Sequence, residues 1–202
     1  MTRPSHPPHA LVVCTANVCR SPVVERLLRR HLVPAIGGLT VSSAGTHGGR
    51  NEVHPDTVAA AATAGVDLSD HRSRRITRRL LDAEGDDLVI ALSREHVYHL
   101  IATDESVWPH TFTLVEIVRR AEELATAGTT FDGFDGWVAA LSDGRRSSDL
   151  LPGRSSDDID DPYGRSQRRQ RRMVRQVEDL STQLAAAAAT SLASPPGDTR
   201  SD

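Results

Sequence analysis

The sequence contains no lysine, so all 24 of its basic side chains are arginine. Aromatic residues occupy only 3% of its 202 positions, and a buried core must therefore be built from Val, Leu, Ile and Ala. With 27 acidic residues the formal net charge is −3, which does not favour nucleic acid or a membrane surface as a partner of the whole protein. No apolar run approaches the roughly 20 residues of a membrane-spanning helix.

Cysteine is scarce as well, since only Cys14 and Cys19 occur, and both lie in one short segment. Two cysteines so close together make a poor disulfide framework, and residues 1–9 lack the apolar core of a signal peptide. Both observations predict a reducing, cytoplasmic setting.

Short apolar segments alternate with helical patterns along the chain. Strands are predicted at 10–13, 39–43, 87–92 and 111–114. Helices are predicted from Pro22 to before Pro34, at 57–64 with Asp56 as the cap, at 77–83, from the cap Ser93 to about 101, at 115–125, around 137–141, and from about 165 onward. This alternation predicts an α/β fold, a single three-layer domain with a four-stranded parallel open sheet flanked by helices.

The chain length suits one domain of ordinary size. We expect this domain to span residues 10–190, with an insertion of loops and one small helix at about 126–156. Residues 1–9 are predicted to be a flexible N-terminus, and residues 191–202 a disordered tail.

The segment from residue 10 to residue 30 reads as strand, loop and helix. Cys14 ends the strand, Arg20 follows six positions later, and Ser21 precedes a proline that suits the first helical turn. Backbone N–H groups of such a loop converge on one point, and the helix N-terminus adds partial positive charge, so the loop is suited to bind phosphate. Arg20 can add a bidentate contact. The same positive field favours a Cys14 thiolate, a nucleophile beneath the bound phosphoryl group, to which Ser21 can donate a hydrogen bond.

Two loop residues keep more than one interpretation. Cys19 is either a packed core residue or a reversible disulfide partner that protects Cys14 from oxidation. Asn17 is either a residue that tolerates a positive φ or a side chain that braces the loop by hydrogen bonds.

A cysteinyl-phosphate mechanism also needs an acid for the leaving group and a base for water. The candidates are Asp157, Asp158, Asp160 and Asp161, in a loop before the final helix. Asp161 is favoured because Pro162 stiffens the loop beside it and Tyr163 can stack against an aromatic substrate. The alternative is a solvated acidic turn.

The segment 14–22, CTANVCRSP, together with the distant Asp161-Pro162-Tyr163, resembles the low-molecular-weight protein tyrosine phosphatase family. Residues 43–46, SAGT, after the second strand resemble the family pattern too. The resemblance covers roughly residues 11–184 and is faint over 103–156. It implies that Cys14 is the nucleophile, that Arg20 binds phosphate, that Asp161 is first general acid and then base, and that neither a metal nor an organic cofactor takes part. The substrate-binding residues implied are Thr15, Ala16, Asn17, Val18, Cys19, Ser21 and Tyr163.

Three departures from the family pattern concern the phosphate loop and the substrate cleft. Ala16 stands where the family usually has glycine, residues 47–53 contain no Phe, Tyr or Trp to form a cleft wall, and Tyr163 is followed by Gly164 instead of a second ring. These differences predict a cleft that is wider or less selective for phosphotyrosine. Val18 is apolar, as in tyrosine-directed members, whereas members that act on phosphoarginine have threonine there.

The sequence therefore predicts a phosphomonoester hydrolase that acts on a phosphotyrosine protein or a small aryl phosphate. One alternative is an arsenate reductase that uses a low-molecular-weight thiol, since no cysteine follows Cys19. Another is a non-catalytic module that binds phosphoprotein or nucleic acid through an arginine cluster. That cluster comprises Arg165, Arg168, Arg169, Arg171, Arg172 and Arg175. The spacing of His54, His71 and His96 matches no metal-ligand pattern, and these residues are predicted to be structural.

Overall fold

The fold is described from a computed structural model, over residues 7–49, 51–84, 87–146 and 157–192, and it is built on one sheet. Its strands are β1 (His9–Cys14), β2 (Thr40–Gly45), β3 (Leu88–Ala91) and β4 (Thr111–Thr113). They are all parallel and lie in the order β2-β1-β3-β4. The chain leaves β1 towards β2 and then crosses to β3 on the other side, so Cys14 ends the central strand where the order reverses. In open parallel sheets this is where ligands bind.

Helices cover both faces of the sheet, which confirms the predicted three-layer α/β fold. The helices are α1 (Arg20–Ala35), α2 (Pro55–Ala62), α3 (Arg78–Glu84), α4 (Arg94–Thr103), α5 (Leu114–Thr126), α6 (Phe134–Ser142) and α7 (Gln167–Leu192), with a 3-10 helix at Glu105–His110. Helices α1, α2, α5, α6 and α7 contribute to the larger core on one face. Helices α3 and α4 and the 3-10 helix contribute to a smaller core on the other.

The two cores explain why β1 shows no alternation of polar and apolar residues. Ala10 and Val12 lie in the larger core, whereas Leu11 and Val13 lie in the smaller one. None of these four side chains is exposed, as expected for a parallel strand that is covered on both faces.

Helix α7 is the longest element and holds the larger core together, because it packs against α1, α2 and α5. Its buried face includes Met173, Val177 and Leu184. The helix continues through Leu192, past the predicted boundary at residue 191, and residues 193–202 lie outside the described part. In the described residues, no helix is both long and apolar enough to cross a membrane.

Several predicted helix boundaries were wrong by one to three residues, and two of them have a clear physical reason. Helix α1 continues past Pro34 to Ala35, because a proline in the last turn removes only one helical hydrogen bond. Helix α2 begins at Pro55, and its N-cap is His54, whose Nδ1 accepts from the backbone N–H of Asp56 at 3.3 Å. Asp56 is therefore a first-turn residue and not the predicted cap, since proline suits the first helical position.

Candidate active site

The Cys14 sulfur lies at the carboxyl end of β1, and its residue is only 2% exposed. Its Sγ is 2.9 Å from the Ser21 hydroxyl and 3.3 Å from the backbone nitrogen of Asn17. The Asn17 amide Nδ2 donates to Ser21 Oγ at 2.9 Å, so the single hydroxyl proton of Ser21 remains to point at the sulfur. Two donors are thus available to a thiolate.

Asn17 shapes the loop that follows Cys14, and both interpretations of it hold at once. Its φ is 56°, and it is the only non-glycine residue of the described ranges with a positive φ. The buried side chain also donates to Ser43 Oγ at 2.8 Å and accepts from the backbone N–H of Arg74 at 3.0 Å. His71 Nε2 lies 3.0 Å from the Asn17 carbonyl oxygen. The conformation that the loop needs is therefore held from several directions.

A buried carboxylate lies behind this brace. Ser43 Oγ donates to Glu25 Oε2 at 2.5 Å, and Arg29 pairs with the other carboxylate oxygen at 2.8 Å. Burial lowers the pKa of His71, so its neutral ring has one N–H, which the Asn17 carbonyl can accept. Sequence reasoning missed Glu25 and Ser43 as parts of the site, because an acidic residue on a helix normally indicates a solvated face.

Gly45 allows β2 to approach the loop closely. A Cβ at this position would lie 2.7 Å from the Thr15 carbonyl oxygen and 2.8 Å from that of His47. The backbone N–H groups of Thr46 and His47 donate to the carbonyls of Cys14 and Thr15 at 2.9 and 2.7 Å. The glycine of the SAGT segment is therefore required by contact between two backbones.

Arg20 and Asp161 meet although 141 positions separate them in the sequence. Arg20 is the first residue of α1, and its Nη2 donates to Asp161 Oδ2 at 2.6 Å and to Thr15 Oγ1 at 3.0 Å. Its Nη1 donates to the Ile159 carbonyl at 3.2 Å. The arginine side chain is buried, whereas that of Asp161 is 43% exposed. The fold thus brings the predicted acid to the predicted phosphate-binding residue.

A cleft of about 430 Å³ opens beside this pair. It is lined by Thr15, Arg20, Ser93, Glu95, Asp158, Ile159, Asp160 and Asp161. Asp158 accepts from the backbone N–H of Arg94 at 2.8 Å, and Asp157 pairs with the Arg94 guanidinium at 2.7 Å. These two aspartates attach the acidic loop to the start of α4, which leaves Asp161 as the carboxylate beside Arg20.

Tyr163 stands at the edge of the site and is 60% exposed. Its ring packs edge-on against His54 with centroids 5.2 Å apart, and its backbone N–H donates to Asp161 Oδ1 at 3.1 Å. The rings of Tyr163 and His54 thus form one wall of the site. His54 also caps α2, and the sequence pattern revealed neither role of His54.

The remaining loop residues differ in exposure. Thr15 and Ala16 are half-buried, whereas Val18 and Cys19 are buried. Cys19 is a free thiol whose sulfur lies 3.2 Å from the Thr57 hydroxyl. Burial raises the pKa of Cys19 to about 11, so this group is protonated at neutral pH and packs as a thiol.

His96 lies under the loop as a neutral ring. Its Nε2 is 3.0 Å from Thr15 Oγ1, and its Nδ1 is 2.9 Å from Ser93 Oγ. Burial and the positive charge of Arg20 lower the pKa of His96 to about 3. Such a ring does not exchange protons near pH 7, which agrees with the structural role that the sequence predicts.

The arginine cluster at the start of α7 is largely exposed. Arg168, Arg171, Arg172 and Arg175 share one face at helical spacing, and Arg169 pairs with Asp160 at 3.3 Å. The opposite face of α7 supplies the core. The cluster therefore has the form of an ordinary solvated helix face.

Comparison with known proteins gives one family match. The model of the family described as low molecular weight phosphotyrosine protein phosphatase matches residues 9–127. The low molecular weight protein-tyrosine-phosphatase Etp of Escherichia coli is 45% identical over 95 residues, which are 46% of this chain and 59% of Etp. The probable low molecular weight protein-tyrosine-phosphatase EpsP of Ralstonia solanacearum is 32% identical over 108 residues, 53% of this chain and 70% of EpsP. The chain thus spans well under two thirds of Etp.

Solved structures show the same fold at lower sequence identity. The YwlE arginine phosphatase from Geobacillus stearothermophilus superimposes with a TM-score of 0.63 at 23% identity, covering 89% of this chain and 92% of that protein. The tyrosine phosphatase Wzb from Escherichia coli, in complex with sulphate, gives 0.62 at 23% identity, with coverages of 88% and 95%. The likeness extends over most of the chain, including the part beyond residue 127.

Proposed function

The chain belongs to the low molecular weight phosphotyrosine protein phosphatase family, and on this premise we propose that it hydrolyses phosphotyrosine esters through a cysteinyl-phosphate intermediate. The observation that carries the proposal is the 2.6 Å contact between Arg20 and Asp161 beside the Cys14 loop. It supports the proposal because a two-step phosphoryl transfer needs an anion-binding group and an acid beside a nucleophile, and Arg20 and Asp161 are the candidates for the first two roles.

In the first step the Cys14 thiolate attacks phosphorus, and the bond from phosphorus to the phenolic oxygen breaks. Asp161, in its protonated form, gives its proton to that oxygen, so that a neutral phenol leaves. Arg20 can contact two of the three non-bridging oxygens, while backbone N–H groups of the loop contact the third. The side chains of Val18 and Cys19 are buried, so in this proposal the two residues contact the phosphate through their backbone N–H groups.

In the second step Asp161, now a carboxylate, takes a proton from water as the water oxygen attacks phosphorus. The bond from phosphorus to sulfur breaks, and the thiolate leaves as the Ser21 hydroxyl and the Asn17 N–H donate to it. Inorganic phosphate is released, and Asp161 again carries a proton. The two steps therefore need one acid–base group and one nucleophile.

The proposed substrates are phosphotyrosine proteins and small aryl phosphates. The rings of Tyr163 and His54 form one wall that can pack against a phenyl group. The apolar Val18 favours phosphotyrosine over phosphoarginine within the family pattern described above. A reducing compartment such as the cytoplasm keeps Cys14 reduced, and we place the enzyme there.

The test is hydrolysis of p-nitrophenyl phosphate and phenyl phosphate. Cys14→Ser should abolish turnover of both, because a serine hydroxyl is not ionised at neutral pH. Asp161→Ala should lower kcat/KM for phenyl phosphate by roughly 10²- to 10⁴-fold, and that for p-nitrophenyl phosphate far less, because nitrophenolate leaves without a proton.

Asp160→Ala is the matched control, since this neighbouring carboxylate contacts Arg169 and not Arg20, and it should leave both rates near those of the wild type. Turnover that survives Cys14→Ser would contradict the mechanism. Arsenate-dependent oxidation of a small thiol without any aryl phosphate hydrolysis would indicate an arsenate reductase instead.

A further inference from the structure

Gln170 is a buried glutamine that touches the loop carrying Asp161. It lies in the second turn of α7 with no exposed surface. Its Nε2 donates to the Pro162 carbonyl at 2.9 Å, and its Oε1 accepts from the Thr57 hydroxyl at 3.1 Å. A buried amide is costly unless it is hydrogen-bonded, and here both ends of the amide are.

Thr57 continues the connection towards the catalytic loop. Its hydroxyl, in α2 and without exposed surface, lies 3.2 Å from Cys19 Sγ. A hydroxyl has one proton. When that proton goes to Gln170, the Thr57 oxygen can accept one from Cys19, which burial keeps as a thiol. The donors then run in one direction, from Cys19 through Thr57 and Gln170 to the Pro162 carbonyl.

The ends of this chain of hydrogen bonds are next to the two groups that must act together. Cys19 directly precedes Arg20, and Pro162 directly follows Asp161. On the N-terminal side of Asp161 the loop is attached to the end of β3, since the Ile159 N–H donates at 2.9 Å to the carbonyl of Leu92, which directly follows this strand. The C-terminal side has no such strand contact in the described residues.

Other contacts on that C-terminal side are local or weak. The Arg165 N–H donates to the same Pro162 carbonyl at 2.9 Å, but this bond closes a turn within the loop. The ring of Tyr163 contacts His54 only at its edge and is largely exposed. The ion pair of Arg169 with Asp160, which precedes Asp161, is solvent-exposed, and pairs of that kind contribute little. Gln170 is therefore the buried side chain that attaches this part of the loop to a helix anchored in the core.

We propose that Gln170 is a positioning residue for the general acid, which it holds at the correct distance from Arg20 through the Thr57 and Cys19 contacts. This inference rests on the proposed function, because it assigns Gln170 a task in the same reaction. Gln170 touches no reacting atom and acts through the Asp161-Pro162 peptide. Misplacing a catalytic group by about 1 Å can cost on the order of 100-fold in rate.

The variant Gln170→Met keeps an unbranched side chain of similar length and removes both hydrogen bonds. We expect kcat/KM for phenyl phosphate to fall roughly 10- to 100-fold. For p-nitrophenyl phosphate, whose leaving group needs little protonation, we expect a fall of less than about threefold. Thr57→Val should cause part of the same selective loss with phenyl phosphate. Thr57→Ser, which keeps the hydroxyl, should retain the wild-type kcat/KM for both substrates.

Gln167→Met is the matched control, because Gln167 is one turn earlier in α7 and donates to Asp56 Oδ1 at 2.6 Å instead of to the acid loop. Gln167→Met should change kcat/KM by the same factor for phenyl phosphate and for p-nitrophenyl phosphate. In an Asp161→Ala background, Gln170→Met should cause no further loss with phenyl phosphate, because the acid that it positions is gone. Equal losses for both substrates, or a full additional loss in that background, would overturn the proposal and leave Gln170 a purely structural residue.

A readout that does not depend on activity is amide hydrogen exchange. Gln170→Met should speed exchange at the Tyr163 N–H, which is bonded to Asp161, and leave the Asn17 N–H protected. Gln167→Met should change neither. If the wild type hydrolysed no aryl phosphate, the proposed function would fail, while unchanged exchange at Tyr163 would count against the positioning role itself.

Discussion

The two halves of the proposed active site, one with the proposed nucleophile and one with the proposed acid, are built in opposite ways. The nucleophile side, formed by Cys14, Asn17, Arg20 and Ser21, is buried, and its side chains bond to one another, to β2 and to the segment after α2. The acid side, formed by Asp161 and Tyr163, is 43% and 60% exposed and lies in a loop that α4 and α7 hold from outside. The first half is buried within a dense set of hydrogen bonds, whereas the second is exposed and is supported by α4 and α7.

The chemistry explains this difference. A thiolate and a phosphate dianion need fixed donors that do not reorganise during the reaction, and a dry, crowded loop supplies them. The acid must meet a leaving group and later a water molecule, so it needs access to solvent. The buried side therefore suits the binding of a thiolate and a phosphate, and the exposed side suits proton transfer to a leaving group and from water.

Breaking the buried side should have the largest effect. Asn17→Ala leaves the Arg74 N–H without its acceptor and puts alanine at a φ of 56°, so we expect a loss of about 2–4 kcal/mol in the free energy of unfolding. Both aryl phosphates should be hydrolysed more slowly by the same factor, because the loop and not the acid is damaged. Urea denaturation and steady-state kinetics measure these two effects.

Asn17→Gly separates the two causes. Glycine tolerates the positive φ but makes no side-chain hydrogen bonds, so it should recover roughly 1 kcal/mol relative to alanine. An unfolding midpoint that Asn17→Ala leaves unchanged would mean that the loop is not held in the way described.

An intermediate effect is expected from pH, again on the buried side. The pKa of His96 is about 3 in the folded protein against about 6.5 in an unfolded chain. Its contribution to stability is fully present above pH 6.5 and is lost progressively as the pH falls towards 3, because the unfolded state binds the proton first. At pH 5.5 the loss is about 1.4 kcal/mol.

In His96→Gln the free energy of unfolding should therefore fall by about 1.4 kcal/mol less between pH 7.5 and 5.5 than in the wild type. Part of the acid sensitivity remains, because burial also lowers the pKa of His71. Denaturant titrations at the two pH values give this difference. An identical pH dependence in both proteins would show that His96 takes up a proton without unfolding.

The smallest effect on stability is expected on the exposed side. Tyr163→Ala removes a ring that contacts His54 at its edge, and the unfolding free energy should change by less than about 0.5 kcal/mol. The KM for a phosphotyrosine peptide should rise about fivefold, as loss of one aromatic contact of roughly 1 kcal/mol implies, while Tyr163→Phe should keep the wild-type value. A large loss of unfolding free energy in Tyr163→Ala would mean that the exposed side contributes to stability as the buried side does, and would contradict the contrast between them.

The same contrast decided what the sequence could predict. The β1 strand, the loop after it and the candidate acid Asp161 could be proposed from the sequence because an uninterrupted apolar run, a Cys-to-Arg spacing and an Asp-Pro-Tyr segment are local patterns. The parallel sheet and the three layers followed from alternation. These features depend on short stretches of chain, and the parallel three-layer fold was confirmed.

Contacts between distant segments were not visible. Glu25 has the spacing of a solvated helix residue, yet it is buried beneath the loop because Ser43 and Arg29 satisfy its oxygens. Gln170 is surrounded by arginines in the sequence, and only the packing of α7 on α2 reveals its buried amide. His54 replaced Asp56 as the cap because the helix starts two residues earlier than predicted, at Pro55. Each depends on tertiary packing, which overrides a local pattern.

The support of the acid loop by α7 has a consequence for biosynthesis. Asp161 leaves the ribosome 141 residues after the arginine that it contacts, which at 5–20 residues per second takes roughly 7–28 s. During that interval a growing chain can present a phosphate-binding loop but has no acid to complete the reaction. In the proposed mechanism the acid is in place only once α7 has docked, so we expect full activity to require this last helix of the chain.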